Sequence, residues 1–103
     1  MPITKHQFQL GIDAEIERDM RKLARFLEDH GDQAYSLSEL WHETGQPGEL
    51  VMAPWNTEAP VEQRRFWYAI NKLVDLRVAD ERTLAGTNYY AIGKVGIEQV
   101  LAG

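Results

Sequence analysis

The 103-residue chain contains no cysteine. That excludes disulfides and thiolate metal ligands, and it points to a reducing, cytoplasmic setting. No apolar run approaches the ~20 residues that span a bilayer, so no membrane partner is expected. The opening MPITKHQFQLG has neither a continuous apolar stretch nor a small-residue cleavage site, and does not read as a secretory leader. Positive charge is also scarce. Eleven Lys and Arg stand against sixteen Asp and Glu, a net charge of -5, whereas nucleic-acid binders usually carry a basic excess. Catalytic signatures are missing: there is no G-x-S-x-G, no phosphate loop and no Cys–His pair. Neither an enzyme nor a cofactor is expected. His6, His30 and His42 are too scattered for metal-ligand spacing, and His42-Glu43 lacks the second histidine of H-E-x-x-H.

What is present is ordinary globular composition, 44% hydrophobic with three Trp, four Tyr and three Phe. A chain of this size suits one domain, residues 1–103, with a real core. The charge is unevenly spread. Residues 36–60 hold four Glu and no Lys or Arg, while Arg64, Arg65, Lys72 and Arg77 outnumber Glu62 and Asp75 over 61–77.

Apolar residues at 12, 16, 20, 23 and 27 recur with the helical period, so a long helix is expected over 13–30. Asp13 would cap its start and Gly31 would stop it. The acidic residues Asp13, Glu15, Glu17 and Asp19 suit the positive end of that helix. Whether a helical turn precedes it, from Thr4 past Gly11, is left open. A very short extended piece over Tyr35 to Leu37 is followed by Ser36 and Glu39 in capping-box spacing. Leu37, Leu40 and Trp41 then share one face until Gly45. Next comes GQPGELVMAPWNTEAP, a loop of about sixteen residues with no helical period, long enough to be either functional or mobile. From Val61 a strong helix resumes, with Phe66, Ala69, Ile70, Leu73 and Val74 inward and Arg64, Arg65, Tyr68, Asn71 and Lys72 mostly outward. VADERTL and NYYAI flank the turn-like AGTN and read as a β-hairpin. Gly96 to Leu101 resumes a helical pattern.

This order resembles a winged helix. YSLSELWHETG is similar to the second-helix line of winged-helix regulators, and INKLVDLRVADER to a recognition helix running into the first wing strand. TNYYAIGKVGIEQVL resembles the second wing strand and closing helix of PadR-like and related prokaryotic transcription regulators. The resemblance covers residues 13–102. It implies an α+β winged-helix fold and binding to duplex DNA, the third helix entering the major groove and the wing touching the backbone. Carried over by position, the implied DNA contacts are Arg64, Arg65, Tyr68, Asn71 and Lys72 on the helix, with Arg82, Thr87 and Asn88 on the wing. Arg reads guanine, Asn reads adenine and Lys holds phosphate. Such a protein commonly dimerises to match two half-sites. The 13–30 helix, the closing helix and the 46–60 loop are the candidate dimer surfaces.

A rival from another class stands beside it: a winged helix that binds protein instead of DNA. Its support is the net acidity, the acidic second helix with Glu39 and Glu43, and an apolar insert where helix-turn-helix proteins have three or four residues. Leu50, Val51, Met52 and Trp55 are its candidate contacts. Trp55 would either fold back over the core or form a docking patch. Trp41 and Trp67 read as core and edge packing, and Arg64 and Arg65 have a plain alternative as solvated surface residues.

Overall fold

The computed structural model describes residues 2–102. Over them the chain is α+β, with five helices and one three-stranded antiparallel sheet. The turn left open before Gly11 is a helix, α1 (Lys5–Leu10). Thr4 and Gln7 cap it reciprocally, each backbone N–H donating to the other's side-chain oxygen at 3.0 Å. Gly11, at φ 76°, closes it in the left-handed region.

α2 (Ala14–Asp29) starts as expected, with the Ile16 N–H donating to Asp13 Oδ1 at 2.8 Å. It ends where expected, with His30 as its C-cap and Gly31 next, but by another geometry. Gly31 does not adopt positive φ. His30 caps instead, its Nδ1 2.8 Å from the Phe26 carbonyl and its ring centroid 4.2 Å from that of Phe26. β1 (Tyr35–Ser36) runs straight into α3 (Leu37–Glu43). The Ser36–Glu39 capping box closes on both sides, at 2.8 and 3.3 Å, and Gly45 follows at φ 78°.

α4 (Val61–Asp75) packs along α2. Its Phe66, Ala69, Ile70 and Leu73 are fully buried against Met20, Leu23, Ala24 and Leu27 of α2. Each large side chain so buried contributes roughly 1.5–3 kcal/mol. Leu40 and Trp41 of α3 close one end, and Val78 and Tyr90 join from the sheet side.

The hairpin is β2 (Ala79–Leu84) and β3 (Thr87–Ile92), paired from Ala79↔Ile92 to Leu84↔Thr87. Only Ala85 and Gly86 form the turn, at φ 51° and 82°, the double left-handed geometry of a tight two-residue hairpin. Thr87 and Asn88 therefore sit in β3, not in a four-residue turn. The hairpin is not alone: Tyr35 and Ser36 of β1 pair with Tyr90 and Tyr89, giving the order β1-β3-β2. β2 is an edge strand, exposed at every residue but Ala79. Beyond β3 the chain passes so close to Arg77 that a Cβ on Gly93 would lie 2.4 Å from its carbonyl oxygen, which excludes any side chain there. α5 (Ile97–Leu101) then buries Ile97 and Leu101, with the Gly96 N–H donating to Gln99 Oε1. No helix among the described residues is long and apolar enough to cross a membrane.

Candidate docking surface

The segment between α3 and α4 has no helix or strand, yet it is firmly tied down. Gln63 of α4 is buried and holds it from both sides: its Nε2 donates to the Glu49 carbonyl at 3.1 Å, and its Oε1 accepts the Val51 N–H at 2.9 Å. Trp41 Nε1 donates to the Pro47 and Gly48 carbonyls. Pro54 and Ala59 are buried, and Arg64 Nε donates to the Ala59 carbonyl at 3.1 Å. These bonds satisfy backbone groups that a buried loop would otherwise leave unpaired.

Fixed in this way, the segment turns apolar side chains outward. Met52 is 96% exposed and Trp55 58%, with Val51 and Val61 also exposed. Leu50, in contrast, packs against the core. Trp55 does not fold over the core. It leans on Trp67 of α4, ring centroids 6.1 Å apart and planes tilted by 52°, within the range of favourable aromatic pairs. Between this apolar wall and the hairpin lies a wedge of about 280 Å³. Its other wall is uncharged, from Ser36, Leu37 and Ser38 on one side and Gly86, Thr87, Asn88 and Tyr90 on the other. No Lys, Arg, Asp or Glu lines it.

The residues singled out in the sequence thus divide. Thr87 and Asn88, expected on a DNA backbone, face the wedge together with Leu50, Val51, Met52 and Trp55. Arg82 lies apart, opposite Tyr89 and grouped with Asp80 and Glu81. On α4 the outward residues are engaged within the chain. Arg65 forms an ion pair with Glu15 of α2. The Tyr68 hydroxyl donates to the Gly11 carbonyl at 2.7 Å, and Lys72 Nζ stands 5.5 Å from the Tyr68 ring centroid. Asn71 Nδ2 donates to the Trp67 carbonyl of its own helix at 2.8 Å.

Sequence reasoning missed Gln63, whose spacing from the inward stripe of α4 was the available signal. It also missed Phe8, 72% exposed on α1. A third omission is the run Arg18, Arg21, Lys22 and Arg25, which lines a groove of about 510 Å³ along α2. Glu17 and Asp29 share that groove, and Arg21 pairs with Glu17 and Glu98. Nearby Asp19 has its carboxyl pKa raised by burial, against the lowering pull of Arg18, Lys22 and Arg65. Burial and the adjacent Glu81 carboxylate raise Tyr90. His6 Nε2 lies 2.7 Å from the Val100 carbonyl and His30 is occupied at Phe26. Among the described residues no three His, Asp or Glu converge as metal ligands would.

No protein-family model, curated protein or solved structure matches this chain.

Proposed function

We propose that the chain is a winged-helix domain that docks another polypeptide through the surface around Trp55. The observation that carries this reading is the uncharged wedge, walled by exposed aromatic and apolar side chains on a segment that Trp41 and Gln63 hold by hydrogen bonds. Contiguous exposed apolar surface marks interaction sites, and Trp and Met are enriched there. A surface held rigid before binding loses less conformational entropy on association. A phosphate backbone would find no cation in the wedge, and Arg64 and Arg65 are already bonded to other parts of the chain. The winged-helix part rests on the order α2, β1, α3, α4, β2, β3 and the sheet order β1-β3-β2.

Duplex DNA binding is the second reading. What favours it is the same order of elements, which leaves Arg64, Tyr68, Asn71 and Lys72 on the outward side of α4 beside a projecting hairpin. Fluorescence anisotropy with a random-sequence duplex separates the two. A protein touching six to ten phosphates loses roughly 10³–10⁵ in affinity between ~50 and ~200 mM salt. The docking reading expects no duplex binding at either salt. It expects displayed random peptides selected on the wild type to be lost on Trp55→Ala. Salt-sensitive duplex binding abolished by Arg64→Glu with Arg65→Glu would replace it with the DNA reading.

A further inference from the structure

We infer that the outward face of α2 is a second binding surface, one that holds a short acidic peptide segment carrying apolar side chains between its carboxylates. Arg18, Lys22 and Arg25 recur at i, i+4 and i+7, so they fall on one stripe of the helix about 10 Å long. All three are exposed. Among the described residues none of them forms an ion pair. This group of unpaired cations stands in a chain of net charge -5. Arg21 differs: it lies beside the stripe and is already bonded to Glu17 and Glu98.

The stripe is more than a solvated row of charges. It lines the groove of about 510 Å³ together with Ala14, Phe26 and Thr44. Phe26 is half-buried, its ring packed on those of His30 and Tyr35, so the groove has a fixed apolar patch. The methylene stems of Arg and Lys extend such a patch while their heads stay in water. Two acids share the lining. Glu17 is occupied by Arg21, and Asp29 lies one turn beyond Arg25, toward the helix C-terminus. Of the other acids on α2, Glu15 pairs with Arg65, while Asp19 and Glu28 lie outside the lining. The groove thus offers three unpaired cations and apolar surface side by side. Carboxylates of a partner suit such an Arg and Lys cluster, and an apolar side chain between them fills the groove. A phosphate backbone has no apolar group to place there, and it would meet Asp29 and the net negative charge of the chain. A lipid surface takes up large exposed apolar side chains, and among the described residues none stands on α2.

Fluorescence anisotropy of the full chain with a labelled peptide of alternating Glu, Asp, Leu and Phe tests this. Arg18 and Arg25 are exposed and outside the core, so glutamate at both leaves the packing intact. The wild type should bind the peptide at ~50 mM salt and release it as salt screens the charges. Arg18→Glu with Arg25→Glu should weaken binding by about tenfold or more, because two attractive contacts become repulsive. The same variant should gain binding to a peptide with Lys in place of every acid, which a misfolded variant would not do. A peptide with Ser in place of Leu and Phe should bind the wild type more weakly. Trp55→Ala should change none of this. Absence of peptide binding at low salt overturns the inference. So does its loss on Trp55→Ala, which would move the peptide to the wedge. Equal binding of the Ser peptide overturns it as well, since the groove would then be a bare anion patch. A duplex that binds where the peptide does not, and is lost in the double glutamate variant, replaces the acidic segment with a phosphate backbone.

Discussion

The segment between α3 and α4 and the β2–β3 hairpin both stand off the helical core, and they are built in opposite ways. The hairpin is regular backbone, paired residue for residue, with polar side chains exposed along β2. The segment has no repeating backbone bonds. Side chains from α3 and α4 hold it in place, and it exposes Met52 and Trp55. A ladder supplies its own order and can project into water. An irregular segment is ordered only where buried polar side chains capture its peptide groups, and those captures leave its apolar residues free to face outward.

The largest test of that contrast is Gln63→Ala. It leaves the Val51 N–H and Glu49 carbonyl without their protein partner, and should cost about 1–3 kcal/mol in denaturant unfolding. Hydrogen exchange should rise over residues 47–55 and stay unchanged in the hairpin. Equal acceleration in both regions would show that the segment is not separately anchored. Trp41→Phe keeps most of the buried ring and removes the donor to Pro47 and Gly48. About 1 kcal/mol should be lost, again with the exchange signal confined to the segment. The hairpin should respond in the opposite sense at its turn. Ala85 occupies left-handed backbone that suits Asn better, so Ala85→Asn should stabilise by about 0.5–1 kcal/mol.

The smallest effect is expected at Asp19, which lies in neither region and serves as a control. Burial raises its folded pKa above 3.8. In the window just above 3.8 the folded chain therefore holds the proton more tightly than the unfolded chain, and stability falls as pH rises through that window. Asp19→Asn should remove the fall. Thermal melts of the two proteins should then coincide at the acid end and favour the variant slightly near neutrality.

Much of this fold was legible because its causes are local. The Ser36–Glu39 box, the Asp13 cap, the Gly45 stop and the inward stripe of α4 each depend on residues within a turn or two. The α2 terminus falls where the sequence put it, with His30 as the cap and Gly31 next, but a histidine ring meeting the Phe26 carbonyl replaces the left-handed glycine geometry. The third strand was half-read, since two residues of β1 carry no period of their own until β3 lies beside them. The candidate surface was harder still. Gln63 reaches partners 12 and 14 positions away, and Tyr68 is tied to a carbonyl 57 positions away. Such bonds have no sequence signature, so the apolar insert could be noticed but not the side chains that hold it.

The free margin of β2 has one more consequence. An unpaired strand invites further strands to add, and stacks of that kind grow into fibrils. Here Asp80, Glu81 and Arg82 occupy the middle of that margin, all exposed. A copy adding in parallel, in-register fashion would set Asp80 against Asp80, Glu81 against Glu81 and Arg82 against Arg82. The chain should therefore resist sheet-to-sheet aggregation at high concentration, and a preparation should lose that resistance when the three positions are neutralised together.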